Sequence, residues 1–419
     1  MKPLRHMTWP AMLCWLTVLL EGYDLVALGA GSIALENSAL DVTAERLTVI
    51  ATVSLVGVMI GAAFVTPMAD RIGRRRILIA SVASFSLFTI LLPLSPNYEV
   101  FTLLRLLAGL GLGACMPVSL AVASESRPPS RRARASTTTM TGYHGGAVLA
   151  SLFALSLGAA WEALFIIGGA LGLLLAAVMW FKLPETLASP AGDAATVGEA
   201  RVGVRDLLRP RFLRTTLAVW VATFMGLLLV YGLNTWMPKL MKTAGYDVST
   251  SLTLLFVLNA GGILGMVLAG RLGDTKGISR TTVTWFGVGA VLLAVLSIRM
   301  SHAVVLDVVI FLTGVFVFSA QVLVYAYVAR EYPDAIRASA LGIASGVGRL
   351  GAIVGPLITG VMVTAGVAHP WGFYFFAGAA VLGLVAMLVA PWSRSSAAAP
   401  ADLAPVLDDA PRTAPAVTP

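Results

Sequence analysis

The sequence predicts an all-α integral membrane protein, with twelve transmembrane helices in two pseudo-symmetric six-helix halves. Three observations carry that expectation: a composition too poor in charge for a water-facing surface, basic loops that alternate strictly along the chain, and internal markers repeated at nearly one offset. Hydrophobic residues make up 58% of the 419 and charged residues only 12%, against about 25% charged in soluble domains. Lipid is the solvent for such a surface. The apolar runs continue unbroken for about 20 residues, the length of a membrane-crossing helix. A membrane β-barrel would instead show alternating segments of about ten residues. In lipid each run must satisfy its own backbone N–H and C=O groups, and a helix does so.

The expected spans are residues 9–33, 47–69, 77–95, 99–122, 135–159 and 161–183, then 213–236, 249–271, 281–299, 304–328, 338–365 and 371–391. The first run is too long for a cleaved signal peptide and no small-residue cleavage site follows it, so it reads as a retained helix. These runs define an N-terminal bundle, 1–183, a polar connection, 184–212, and a C-terminal bundle, 213–392. The tail, 393–419, is rich in Ala and Pro and reads as disordered and cytoplasmic. Cys14 and Cys115 fall inside apolar runs and read as small buried hydrophobes.

Of the 29 Lys and Arg, 23 fall in segments on one side of the membrane, 4 fall in loops on the other, and Arg105 and Arg349 lie within spans. The positive-inside rule then predicts cytoplasmic N- and C-termini in an inner membrane. The net charge of +8 faces the anionic leaflet rather than nucleic acid. Trp9, Trp161, Trp236 and Trp371 stand near span ends and read as interfacial anchors.

The halves repeat. Met68-Ala69-Asp70-Arg71-Ile72-Gly73-Arg74-Arg75 follows the second span, and Leu272-Gly273-Asp274-Thr275-Lys276-Gly277 follows the eighth, with the aspartates 204 residues apart. Arg134-Ala135-Ser136 precedes the fifth span and Arg337-Ala338-Ser339 the eleventh, 203 apart. Such repeats place a ligand near the bilayer midplane, between the halves. In the first loop Gly73 permits a tight turn, and Asp70 at a helix end can pair with arginines in one conformation and release them in another. This segment resembles the signature loop of the major facilitator superfamily, with Thr66 where that signature opens on glycine. The resemblance implies that superfamily's fold.

Near the middle of the first span stands Leu20-Glu21-Gly22-Tyr23-Asp24. Glu21 and Asp24 are three residues apart and share a helix face. A carboxylate at the bilayer centre costs about 2.5–3.5 kcal/mol, so two are unlikely to stand there by chance. Desolvation and mutual repulsion disfavour charging both, which suits a proton carrier. The competing reading is a buried acid held permanently by an arginine.

With the loop, this tetrad resembles the aromatic acid:proton symporter family, and the resemblance runs along most of the chain. It includes Arg105 followed by Gly109, Gly111 and Gly113, Ser124-Glu125, Tyr231-Gly232-Leu233-Asn234-Thr235-Trp236-Met237-Pro238, Tyr332-Pro333, Arg337, and Gly348-Arg349-Leu350-Gly351. Members usually carry aspartate where this chain has Glu21. The resemblance implies uptake of benzoate, hydroxybenzoates or related acids with protons, and it marks Arg105, Glu125 and Arg337 as important.

Arg349, near mid-depth of the eleventh span, offers a permanently charged planar fork that matches a carboxylate. It reads as the substrate clamp, or as the partner of Glu21 and Asp24 in the empty site. Arg105 is counted with the substrate-binding candidates, as a partner of those acids, and reads otherwise as an outward-snorkelling side chain. Tyr23, Asn234, Gln321 and Tyr325 are candidates for contacting substrate. Each is otherwise an interhelical hydrogen bond or an interface aromatic. His144 reads either as a proton relay or anion donor or as a packing histidine. Asp70, Arg71, Gly73, Arg74, Arg75, Glu125, Asp274, Glu331 and Arg337 form the expected gate at the basic face. The sequence holds no Walker-type phosphate loop and no Cys/His cluster at metal spacing, so no enzyme, cofactor or metal is expected. The rivals are a proton-driven exporter of drugs or metabolites, disfavoured by the lack of proline in the fifth span, and a non-transporting sensor. The expected partners are a small aromatic acid, protons and the bilayer, with the chain a monomer.

Overall fold

Each predicted apolar run forms a helix in the computed structural model, which describes residues 9–127, 132–186 and 207–391. Most of the 184–212 connection and the 393–419 tail lie outside the described residues. The first half comprises α1 (Trp9–Ala30), α2 (Ala44–Ile60), α3 (Arg74–Leu91), α4 (Tyr98–Glu125), α5 (Arg132–Leu157) and α6 (Trp161–Lys182). The second comprises α7 (Pro210–Thr243), α8 (Val248–Lys276), α9 (Ile278–Val295), α10 (Ala303–Glu331), α11 (Asp334–Thr364) and α12 (Ala368–Val389). α2 runs on through a π-helical turn, Gly61–Val65, into a further helical stretch, Thr66–Ile72. Among the described residues, eleven of the helices are long and apolar enough to cross a membrane. The twelfth, α5, is not among them; its first half carries Thr137, Thr138, Thr139, Thr141, Tyr143 and His144.

The duplication extends to local backbone. Thr43 caps α2 by accepting the Arg46 N–H, and Asp247, 204 residues later, caps α8 by accepting the Thr250 N–H at 2.6 Å. That N–H bond holds the exposed Asp247 carboxylate below its usual range. Gly73 and Gly277, again 204 apart, turn the chain with φ of +112° and +93°, values that L side chains rarely adopt. Helix pairing follows the same rule. α1 packs on α5 as α7 packs on α11, α2 on α4 as α8 on α10, and α3 on α6 as α9 on α12. Close approach needs glycine where α1 meets α5: a Cβ at Gly146 would stand 1.8 Å from the Leu19 carbonyl oxygen.

The halves join through α1–α7, α2–α11 and α5–α8. The first two contacts lie toward the face opposite the basic loops, where Gly29 abuts the backbone of Asn234 and Thr235, and Thr48 abuts Gly360. Two sequence expectations are corrected there. α7 continues to Thr243, so Lys239 belongs to a helix rather than to a loop. Trp236 is no interfacial anchor: it is fully buried and donates its indole N–H to the Pro356 carbonyl at 2.9 Å. Beside it, Lys239 is buried and pairs across the halves with Glu36 at 3.4 Å.

If this pair helps hold the face shut, Lys239→Gln loosens it. A cysteine placed at Thr235, 7% exposed beneath the pair, should then be alkylated several-fold faster; an unchanged rate would show that the pair carries none of the closure.

Candidate functional site

The first helix delivers its two acids to different surroundings. Asp24 faces α3 and α4, where its Oδ2 accepts from Arg105 Nη1 at 2.9 Å and its Oδ1 accepts from Thr89 Oγ1 at 2.5 Å. Arg105 also donates from Nε to Ser54 Oγ at 3.2 Å. Asp24 and Arg105 are 2% and 1% exposed. This is a closed, hydrogen-bonded ion pair within one half, held by four helices. Arg105, expected among substrate contacts, does not line the central cavity.

Glu21 is as deeply buried, and its Oε2 has no hydrogen-bond partner among the described residues. The charge of Arg349 reaches it from α11 in the other half. Arg349 is half-buried and makes no ion pair among the described residues. The four mid-membrane charges thus divide into one closed pair, Asp24 with Arg105, and one open pair, Glu21 with Arg349.

Arg349 lines a cavity between the halves of about 650 Å³, its mouth included. Around it stand Tyr143 and His144 of α5, Tyr231 of α7, Phe318, Gln321 and Tyr325 of α10, and Ser345 of α11. The His144 and Phe318 rings stack with centroids 4.9 Å apart. The walls are therefore flat and apolar, with a few polar groups converging, as in small-molecule sites generally. Tyr143 and Tyr231, 6.1 Å apart across the halves, also line a smaller cavity that reaches Arg105 and Ser54, so the two rings separate the central cavity from the closed ion pair.

His144 belongs to a directional chain. Asn234 Nδ2 donates to the Val230 carbonyl, Asn259 Nδ2 donates to Asn234 Oδ1 at 2.8 Å, and Asn259 Oδ1 faces His144 Nδ1 at 2.9 Å. With both amides so committed, Nδ1 of His144 is the donor, which leaves Nε2 of the neutral ring with its lone pair. Asn234 is thereby engaged inside the bundle and does not line the central cavity. Tyr23 is also elsewhere: its hydroxyl donates to the Leu164 carbonyl at 2.8 Å and its ring lies against Gly168 of α6.

At the basic face Arg74 pairs with Glu125, bringing together two of the expected gate residues. Glu185, which sequence reasoning missed, accepts the backbone N–H groups of Arg74 and Arg75 and so caps α3, where an anion is favoured. Its only sequence signal is Pro184-Glu185 just past the sixth span. Arg75 also lies over the Trp180 ring. Arg71 and Asp274 are exposed, Arg337 donates to the Tyr332 carbonyl at 3.3 Å, and Glu331 ends α10. The Asp70 side chain lies outside the described residues.

Two six-helix halves around a cavity with an open charge pair define a membrane transporter rather than an enzyme. The chain belongs to the Major Facilitator Superfamily, whose family model matches residues 14–334. It is similar to a gentisate transporter of Corynebacterium glutamicum, 33% identical over 90% of this chain and 85% of that one. It is also similar to a benzoate transport protein of Acinetobacter baylyi, 31% identical over 90% of this chain and 88% of the relative. A solved D-xylose-proton symporter shares the fold with a TM-score of 0.73, at 17% identity over 92% of this chain and 98% of that structure.

Asp24→Asn removes one partner of a buried pair and should cost about 3–5 kcal/mol. A thermal-unfolding series checks this: Asp24→Asn should melt well below the parent, and Asp24→Asn with Arg105→Gln should recover part of the loss. An unshifted single variant would contradict the reading of a structural pair.

Proposed function

We propose that the protein imports a small aromatic carboxylate, of the benzoate or hydroxybenzoate class, together with protons, by alternating access. The observation that carries this reading is the open pair, Glu21 and Arg349, beside a flat-walled cavity. Two acids and two guanidinium groups balance in the empty site. A substrate carboxylate on Arg349 adds one negative charge in a medium of low dielectric, where an unmatched charge is costly. A proton on Glu21 restores the balance, and a balanced site can cross between the two arrangements of the halves. The ring of the substrate fits against His144 and Phe318, both of which line the cavity. Relatives named for gentisate and benzoate transport support the aromatic class.

The positive-inside count supports an inner-membrane protein with both termini cytoplasmic. With that orientation the joined face lies on the side away from the cytoplasm and the arrangement is inward-facing. Asp70, Arg71, Gly73, Arg74, Arg75, Glu125, Asp274, Glu331 and Arg337 then form the cytoplasmic gate, with Glu185 as the cap of α3. Asp24 takes a positioning role through Arg105 rather than the role of proton carrier.

Uptake of radiolabelled benzoate and hydroxybenzoates into expressing cells, with and without a protonophore, tests the reading. Saturable uptake that collapses with the proton gradient is the expected result. No uptake by correctly inserted protein would contradict it and favour export. Glu21→Gln should retain exchange of labelled for unlabelled acid while losing gradient-driven accumulation; intact accumulation would remove Glu21 from the coupling. Arg349→Lys keeps the charge and loses the fork, so the apparent KM should rise roughly 10- to 150-fold, from about 1.5–3 kcal/mol for a charge-assisted hydrogen bond. A KM within twofold of the parent would exclude Arg349 as the clamp.

A further inference from the structure

Buried amides in this bundle are otherwise fully employed. Both side-chain groups of Asn234 and of Asn259 are hydrogen-bonded, to each other, to His144 or to backbone carbonyls. Gln321 departs from that pattern. It is 4% exposed, it lines the same cavity as Arg349, and neither Oε1 nor Nε2 has a hydrogen-bond partner among the described residues. The Tyr325 hydroxyl interacts with that amide, at a geometry short of a full hydrogen bond. Gly226 of α7 makes room for the amide, since a Cβ there would stand 2.1 Å from Gln321 Oε1. A second buried group on this cavity, the hydroxyl of Tyr143, a residue 5% exposed, faces the Tyr231 hydroxyl, also short of a full hydrogen bond.

An unsatisfied buried polar group is a standing cost, and in the middle of a membrane no loop can relieve it. Two such groups on the wall that also carries an unpaired guanidinium point to a ligand that brings its own hydrogen-bonding atoms. The cavity needs more from its ligand than a carboxylate. An amide presents a donor and an acceptor side by side, and a phenolic hydroxyl can donate to the one while accepting from the other. The bare ring of benzoate offers neither.

We propose that Gln321 reads a ring hydroxyl, so that the protein discriminates in favour of hydroxylated aromatic acids and against unsubstituted benzoate. This rests on the aromatic-carboxylate reading above and narrows it. In the bound state the carboxylate sits on Arg349, the ring lies in the slot beside His144 and Phe318, and a hydroxyl meets the Gln321 amide. An unhydroxylated acid can still bind through its carboxylate and ring, but it leaves both amide atoms unpaired. Sites built to hydrogen-bond a hydroxyl discriminate strongly against the analogue that lacks it.

Equilibrium binding of benzoate, 3-hydroxybenzoate and 4-hydroxybenzoate to the purified full-length protein tests this, for the parent and for Gln321→Met. The parent should bind at least one hydroxybenzoate about tenfold or more tighter than benzoate. Gln321→Met should erase that preference by weakening the hydroxybenzoate while leaving benzoate within a few-fold of its parent affinity. The variant replaces an unpaired polar group with an apolar one of similar shape, so thermal unfolding of the empty protein should be unchanged or shifted upward. Benzoate bound as tightly as the hydroxybenzoates by the parent, or a preference that survives in the variant, overturns the proposal and leaves the aromatic-acid reading intact. Failure of all three acids to bind overturns both.

Discussion

Charge balance in a low-dielectric interior is the constraint on which the centre of this molecule depends. Four formal charges stand near the bilayer midplane, from α1, α4 and α11, and each would be costly alone. The first half settles one acid and one base internally, with Thr89 and Ser54 taking up further hydrogen-bonding positions. The other acid and base belong to different halves and make no direct bond among the described residues. In the proposed reading, that division lets one pair fix the fold of the half while the other stays available to a ligand and a proton, and coupling follows from neutrality.

The same constraint explains the aromatic wall. Tyr143 and Tyr231 come from opposite halves and stand between the central cavity and the smaller one beside Arg105. They keep the closed pair out of the aqueous path, where water would weaken it. The His144–Asn259 bond crosses between the halves as well and continues to Asn234. Near the opposite face the Glu36–Lys239 pair and the contacts of Gly29 and Gly360 join the halves. The joined face thus combines an ion pair between the halves with close backbone approaches.

Much of this was legible in the chain. Apolar run length marked out the helices, and the 204-residue offset reappears in the caps Thr43 and Asp247 and the turns Gly73 and Gly277. The mid-membrane charges were legible because lipid makes them conspicuous. Arg105 and Arg349 were read as partners of the first-span acids, but which base takes which acid was not legible, nor was the partner of His144. Asp24 meets Arg105 across 81 residues and His144 meets Asn259 across 115, and helical periodicity gives no register between distant helices. Trp236 was misread, and Tyr23 was left between a substrate contact and an interhelical hydrogen bond, for a related reason: an aromatic residue in a span can face lipid, a cavity or a neighbouring helix, and only tertiary packing decides. Glu185 escaped notice because a lone acid past a helix end carries no pattern.

The central claim is that the substrate's charge is matched by a proton on Glu21. The most direct test is the pH change when an aromatic carboxylate is added to the purified protein in weak buffer, followed across the neutral-to-alkaline range. The account predicts net proton uptake on binding by the parent and none by Glu21→Gln. Binding without proton uptake at any pH in that range, or equal uptake by the variant, would contradict it.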